Sequence, residues 1–464
     1  MTTHVPILVV GSGISGLVCA YTLRKAGINA QIIESSPAPG GVIRSERRDD
    51  YLLEYGPQSF NATSSLLNLC HELHIDDQLL QAPPNAPRYV LVKGKLRPVP
   101  LSPPAFIASP LFSPVTKLSV LRDILGRSTP AQSDESVAAF TRRKFSRELL
   151  DKLVGPFVSG IYAGDPEKLS VRSAFPQLYK AEKSAGSIIR GLLFSAKKRA
   201  ASAEKPTPRT FREGNQSLIQ ALAANLGSSL RCGITAQRIR LTTPSHETTV
   251  DTPTFEVTLL ADGREEVLTT NRLIVATPAE EAGTLLHGVD PQFESALSAI
   301  PYAPVAVVSL GYPKSAINHS LDGFGFLVPR SSGLRILGTV WNSSLFPGRA
   351  PDGHVLLTSF VGGATDPTPT SLTEPEIVST VHRELASVLG ISQLPSFSHG
   401  HAWQRAIPQY NLGHNQHIHQ LDQMQSKYPS IRLVGNYLRG PALGACVDQA
   451  LTVAQEAITR DCAT

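Results

Sequence analysis

The first apolar run, Val5 to Val10, is almost unbroken, which is the pattern of a strand buried on both faces of a parallel sheet. Gly11-Ser12-Gly13-Ile14-Ser15-Gly16 follows at once. Leu17, Ala20, Tyr21 and Arg24 then fall at helical spacing, and Gly27 stands where a helix's C-terminal glycine belongs. A second strand, Ala30 to Ile33, ends on Glu34. Farther along, a helix running through Leu222 and Leu226 follows Phe211 to Leu218. Leu230 to Ile239 and Phe255 to Leu260 read as strands, with Asp262-Gly263 as the turn after them. Leu273 to Ala276 is a buried strand that stops at Thr277-Pro278. Ile431 to Val434 repeats the opening theme: a strand, the glycine turn Gly435-Asn436-Tyr437, and a helix entered through Ala442-Leu443-Gly444-Ala445-Cys446-Val447. Strands alternating with helices predict an α/β chain.

At 464 residues the chain is long enough for two or three structural regions, and 41% hydrophobic with 17% charged residues is a globular composition. A net charge of +5, with no basic run interleaved with aromatics, argues against nucleic acid. Cys19, Cys70, Cys232, Cys446 and Cys462 are odd in number and scattered, which predicts a reducing compartment and no structural metal. The first apolar run lacks a charged leader and feeds directly into a glycine motif, so it reads as a folded strand and not a signal peptide. Pro98 to Thr116 holds no charge, yet its six prolines would break any spanning helix. The expected location is therefore cytoplasmic, with this stretch as an apolar surface touching a membrane.

The glycine motif has a mechanical reading. Gly11 makes the tight turn, Gly13 admits a pyrophosphate to the backbone, and Gly16 lets helix and strand pack closely, with Ser12, Ile14 and Ser15 at the helix N-terminus facing the phosphates. Glu34, 18 residues after Gly16, is placed to take both hydroxyls of an adenosine ribose, and its charge argues against NADP. Ser35 follows it on the same site. The second glycine turn, near Gly435 and Asn436, makes another docking place for a polar ligand edge at a helix N-terminus.

Pro39-Gly40-Gly41-Val42-Ile43-Arg44 resembles the second phosphate-contacting motif of the flavin amine oxidase superfamily, and Tyr51 to Phe60 resembles that superfamily's strand and turn beside the isoalloxazine. The resemblance implies FAD as cofactor. It adds Gly40, Gly41, Arg44, Gly56, Pro57, Gln58, Ala236, Ala442, Leu443, Gly444 and Val447 to the cofactor-binding set. Leu153 to Ser170, with Gly160-Ile161-Tyr162-Ala163-Gly164 at its centre, is similar to the protoporphyrinogen oxidase family of haem synthesis. So are Gly323 to Pro329, Leu337-Gly338-Thr339, Ser344 to Pro347 and Ala406 to Gln409. Gln58, where family members often carry an acid, and Glu213, where they carry a second glycine, depart from the pattern. Read as structure alone, Gly160 to Gly164 is a flexible inter-helix loop, and Asp165-Pro166 is a helix N-cap followed by proline at the first helical position.

What the resemblance implies is an α/β fold with a Rossmann-like FAD-binding domain assembled from residues 1–84, 209–278 and 405–464. A mixed α+β substrate domain would comprise 85–97, 180–208 and 279–404, and 98–179 would form a helical, membrane-associated region. The implied reaction is the six-electron oxidation of protoporphyrinogen IX to protoporphyrin IX, with dioxygen as acceptor and hydrogen peroxide as product. Arg88, on a strand leading to the hairpin Lys93-Gly94-Lys95, would hold a substrate carboxylate. Leu327 and Phe346 would contact the macrocycle. No protein nucleophile is assigned, because hydride transfer to flavin needs positioning instead. Coproporphyrinogen III is the rival substrate; an amine or carotenoid-precursor oxidase and a non-catalytic flavin or porphyrin carrier are the other readings. A homodimer and a hand-off to the next haem-pathway enzyme are the partner expectations.

Overall fold

The computed structural model describes residues 3–200, 207–242 and 254–461, with the side chains of 196–200 and of residue 461 left aside. Its first sheet runs Leu230–Cys232, Ala30–Glu34, Thr3–Val10, Arg264–Val275, Thr254–Ala261 and Ile234–Thr242, with Ile431–Leu433 added beside Arg264–Val275. The long strand Arg264–Val275 changes partner along its length. Its first part pairs antiparallel with Thr254–Ala261, and its last three residues, Leu273 to Val275, pair parallel with Ile431–Leu433. On its other edge it lies parallel to Thr3–Val10 from Leu268 to Val275. Apolar runs on three parallel strands leave no solvent face, so the helices Ile14–Lys25, Gln216–Leu226 and Leu443–Asp461 cover one side. The alternating pattern of Thr254–Ala261 marks the half-buried antiparallel flap. Residues 230–239, expected as one strand, form two, because Gly233 at φ +72 breaks the run.

A second sheet runs Phe397–Pro408, Tyr302–Pro313, His354–Gly362, Ile336–Trp341, Gly325–Leu327, Arg88–Val92 and Lys95–Pro98. Every pairing in it is antiparallel except that of Gly325–Leu327 with Arg88–Val92. The helix Glu374–Leu389 packs on one of its faces.

Several helices between residues 103 and 200 use proline as a starter. Ser102 and Ser113 cap Pro103–Ala108 and Pro114–Leu125 by accepting from Ala105 and Thr116 N–H, and in each case proline takes the first turn, where its missing N–H costs nothing. The helices run on past residue 179. Ile188–Ala200 is tied to Pro114–Leu125 through Asp123, which accepts from Ser187 Oγ (2.9 Å) and Ile189 N (3.1 Å). Two local expectations are overturned here. Gly160 to Tyr162 belong to the helix Gly155–Tyr162, and only Ala163, at φ 47, and Gly164 lie beyond it, because the helix is buried against Val137, Phe140 and Tyr410. Asp165 accepts from Glu167 N (2.9 Å) in a single turn, and the next helix is capped by Ser170 instead. Among the described residues no helix is long and apolar enough to cross a membrane.

Candidate functional site

The predicted loop sits at the C-terminal ends of the parallel strands, where ligands of open α/β sheets bind. Gly11 N donates to Ile33 O (2.8 Å), and Gly40 N donates to Ser12 O (2.9 Å), so the second glycine pair lies against the first. Gly16 cannot carry a side chain: a Cβ there would stand 2.0 Å from Gly11 O. A Cβ on Gly11 would press on the backbone of Ala276 and Thr277 at 3.0–3.1 Å, and Ala276 N donates to Val10 O. Val434 N donates to Val275 O (3.0 Å), which brings the Gly435 turn to the same strand ends. Gly435 is required because a Cβ there would stand 2.7 Å from the Tyr437 ring. Residues separated by more than four hundred positions thus converge on one loop.

Several features fit a dinucleotide. Gly13 gives the helix Ile14–Lys25 no side-chain cap, and its first turn carries no acid, so its leading amides are left to a ligand anion. Nothing lies within 4 Å of where a Gly13 Cβ would stand. Thr277 Oγ1, beside Gly11, is buried without a partner. Glu34 Oε2 accepts from Ser12 N (2.8 Å) and Ser12 Oγ (2.9 Å), and Oε1 accepts from Ser36 N (2.9 Å). Burial pushes its carboxyl up, but the donors from Ser36 and Ser12 outweigh that and hold it below the ordinary value. Glu34 is therefore an anion that also braces the loop, and the weaker contact from Ser35 Oγ, at 3.3 Å, is the one a ribose hydroxyl can displace most cheaply.

The remaining cofactor residues divide by position. Arg44 lies 4.6 Å over the Tyr55 ring and pairs with Glu46 at 3.2 Å. Gly56 is packed under Val42 O, and Pro57 O accepts from Asn215 Nδ2 (2.7 Å). Gln58 is buried and links the strand Tyr51–Glu54 to the short helix Asn342–Leu345: its Nε2 donates to Glu54 O (2.9 Å) and its Oε1 accepts from Asn342 Nδ2 (2.7 Å). Ala236 is half-buried at a bulge of the sheet's edge strand. Gly444 packs on Thr63, and Leu443 and Val447 are buried against the first helix. Ala442, just before the helix, is exposed.

Of the residues expected to meet substrate, Arg88 is exposed and stands opposite Gly325, with its guanidinium 5.2 Å over the Phe324 ring. Leu327 is half-buried two positions on and lies against Gly160: a Cβ there would stand 2.5 Å from its Cδ2. Phe346 is buried with Ala82 and Leu345, and it supports Phe324 and Val340 from beneath.

Sequence reasoning missed two groups. Glu54 and Arg349, 3% and 1% exposed, form an ion pair at 3.3 Å between the strand Tyr51–Glu54 and the turn that precedes His354–Gly362. Tyr410 donates to Asn436 O (2.5 Å), accepts from Gly440 N (2.7 Å) and stacks on His414 at 4.2 Å, so it holds the loop after Gly435. The Gly214-Asn215 turn beside Glu54 was the one available signal for the first; neither a lone arginine after Pro347-Gly348 nor a lone tyrosine carries one.

The chain matches the family model described as flavin containing amine oxidoreductase over residues 14–458. It is 36% identical over 478 residues to the chloroplastic protoporphyrinogen oxidase of Nicotiana tabacum, covering 97% of this chain and 84% of that protein. It is 30% identical over 473 residues to the coproporphyrinogen III oxidase of Staphylococcus aureus, covering 97% and 98%. Among solved structures, a chain from Exiguobacterium sp. 255-15, provisionally named a protoporphyrinogen oxidase, superposes with a TM-score of 0.81 at 22% identity and 99% coverage of both. Putrescine oxidase bound to putrescine superposes with a TM-score of 0.70 at 17% identity, covering 99% and 100%.

Proposed function

Because this chain belongs to the flavin-containing amine oxidoreductase family and is an FAD-dependent oxidoreductase, we propose that it oxidises a porphyrinogen, and that protoporphyrinogen IX is the one it takes. The observation that carries the substrate class is the pairing of an exposed arginine, Arg88, with the half-buried apolar Leu327 on adjoining strands of one sheet. A macrocycle bearing propionates needs an apolar slot and a cation at its mouth. The greater identity to a protoporphyrinogen oxidase than to a coproporphyrinogen III oxidase favours the two-propionate substrate.

FAD, when bound, supplies the hydride acceptor. The amides at the Gly13 end of the first helix hold its pyrophosphate, and Glu34 holds the adenosine ribose. Arg88 fixes a propionate while Leu327 lies against the ring system. Three successive two-electron oxidations convert the porphyrinogen to the porphyrin, each losing a hydride and a proton. With dioxygen as the final acceptor, three molecules of hydrogen peroxide leave. The apolar surface of the helical region rests on a membrane, from which a poorly soluble substrate enters and to which its product returns for the next enzyme.

Purified holoenzyme given equimolar protoporphyrinogen IX and coproporphyrinogen III under air tests this reading, with porphyrin fluorescence and peroxide as readouts. Preferred formation of protoporphyrin with one peroxide per two electrons is expected; a yellow protein that oxidises neither overturns it. Arg88→Ala should raise KM roughly ten- to hundred-fold, since a charge-assisted pair contributes about 1.5 to 3 kcal/mol. That penalty should shrink when the substrate is the dimethyl ester. Equal penalties on acid and ester would assign Arg88 to the fold.

A further inference from the structure

Arg330 is a half-buried cation that meets a single carbonyl. It follows the strand Gly325–Leu327, in the short turn Arg330–Ser332. Its Nη2 donates to Gly362 O (3.0 Å), its Nε is buried without a partner, and among the described residues no acid forms an ion pair with it. Asp366 is the carboxylate that faces it, but the fork of Arg335 takes both oxygens, at 3.0 and 3.1 Å, and Thr368 Oγ1 donates to one of them as well. Burial pushes the Arg330 guanidinium below its ordinary value, against the pull of Asp366. Buried Arg349, by contrast, has Glu54. A cation taken out of water is costly unless an anion meets it.

Its place in the sheet says which anion. Arg88 stands in register with Gly325, Leu327 lies against Gly160 two positions on, and three more residues lead to Arg330, so the two arginines are separated by about 16 Å along the strand. The facing wall follows the same course. The helix Gly155–Tyr162 passes from Gly160, beside Leu327, to Ala163, whose O accepts from Ala364 N (2.8 Å) and would stand 2.6 Å from a Cβ on Gly363. Gly363 adjoins the carbonyl that holds Arg330, and Ala163 packs with Leu337 and the half-buried Phe360, which keeps this end apolar. Protoporphyrinogen IX carries its two propionates on neighbouring pyrroles, at one edge of the macrocycle. Coproporphyrinogen III carries one on every pyrrole and presents carboxylates at both edges. We infer that Arg330 is a second carboxylate site, which takes a propionate on the edge opposite Arg88 and so sets how well the chain accepts porphyrinogens with propionates on both edges. The inference rests on the porphyrinogen reading above and adds the residue that tells one porphyrinogen from another. The chemistry is unchanged: three hydrides leave for FAD with three protons, three molecules of dioxygen collect both as hydrogen peroxide, and the carboxylates only bind.

The experiment uses wild-type, Arg330→Met and Arg330→Lys holoenzymes. Binding of coproporphyrin III and protoporphyrin IX is read by quenching of porphyrin fluorescence, and oxidation of the two porphyrinogens by steady-state kinetics. Arg330→Met should lower the ratio of kcat/KM for coproporphyrinogen III to that for protoporphyrinogen IX by about tenfold or more, mostly through KM, and should weaken coproporphyrin III binding by a similar factor, as loss of a charge-assisted pair implies. Arg330→Lys keeps the charge without the planar fork and should recover part of both. Coproporphyrin III tetramethyl ester should bind wild type and Arg330→Met alike. Flavin content and a thermal melt show whether Arg330 instead braces the Gly362 turn. A loss shared equally by both porphyrins, or by acid and ester, assigns it to the fold and overturns the inference while porphyrinogen oxidation stands. If Arg330→Met does not fold, Arg330→Lys decides, and a substrate ratio equal to that of wild type overturns the inference. A holoenzyme that oxidises neither porphyrinogen overturns both this inference and the reading beneath it.

Discussion

Arg349→Met should be among the most damaging single substitutions outside the cofactor loop. Glu54 accepts from Ser45 Oγ at 2.7 Å, from Asn215 N at 2.9 Å and from Arg349 Nη1 at 3.3 Å. Arg349 Nη2 donates to Thr210 Oγ1 (2.6 Å) and to Phe211 O (3.1 Å). Methionine fills the volume but leaves a buried carboxylate without its cation and two acceptors without their donor. Removing one partner of a buried pair costs about 3 to 5 kcal/mol. Burial already pushes the Glu54 carboxyl up from 4.5 to about 7, so proton uptake is an escape that holds the cost near the lower figure below neutrality. Losing Arg349 raises the carboxyl further, so the penalty grows with pH, and at about 2 °C per kcal/mol the melting temperature of the holoenzyme at pH 8 should fall by roughly 6–10 °C. Glu54→Gln/Arg349→Met should recover much of the loss, since glutamine can still accept from Asn215 N and donate to Ser45 Oγ. The assay is a thermal melt of wild type, Glu54→Gln, Arg349→Met and the double variant at pH 6 and pH 8. A loss under about 1 kcal/mol at pH 8, or a double variant no better than Arg349→Met, would refute the reasoning.

Glu34→Ala should weaken FAD retention by about 1 to 3 kcal/mol, read by flavin release on dilution, and should cost more than Ser35→Ala because it also frees Ser12; equal retention would move the ribose elsewhere. Tyr410→Phe keeps the stack on His414 but loses the bridge between Asn436 O and Gly440 N, so it should shift the flavin absorption bands and loosen FAD while leaving the melt within about 1 kcal/mol of wild type. An unchanged spectrum would make Tyr410 a packing residue. Because the native state holds the Glu54 proton to a higher pH than the unfolded chain, this group's contribution to stability is complete below about pH 4.5 and is lost as pH rises to about 7. Urea titrations should show stability falling across that window in wild type, and a flatter profile in Glu54→Gln.

The dinucleotide half was legible because its signals are local. Strand, glycines, helix and Glu34 are consecutive, and neighbours exclude a side chain at Gly11 and at Gly16, the latter lying under Gly11 O. The convergence of Gly435 on the same loop was legible for a related reason: a second strand ending in a glycine turn has few places to go in a parallel sheet. Arg349 and Glu54 lie 295 positions apart, and nothing near either distinguishes a buried arginine from the solvated ones that usually follow a proline-glycine turn.

The helix Pro114–Leu125 shows a different limit. Its aliphatic residues recur at helical spacing, so the stripe could be read from the sequence, but periodicity is symmetric with respect to which side of a stripe faces the core. What breaks the symmetry here is polar and distant: Lys144, Glu148 and Ser187 supply partners for Asp123 and Thr116, and a side chain with a buried partner can go inward while leucines go out. The same logic explains Gly155–Tyr162, where glycines at 155, 160 and 164 suggested a loop although Val158 and Tyr162 had a core to enter. The loop reading of that segment failed because the partners that bury the helix, Val137, Phe140 and Tyr410, lie outside the local sequence.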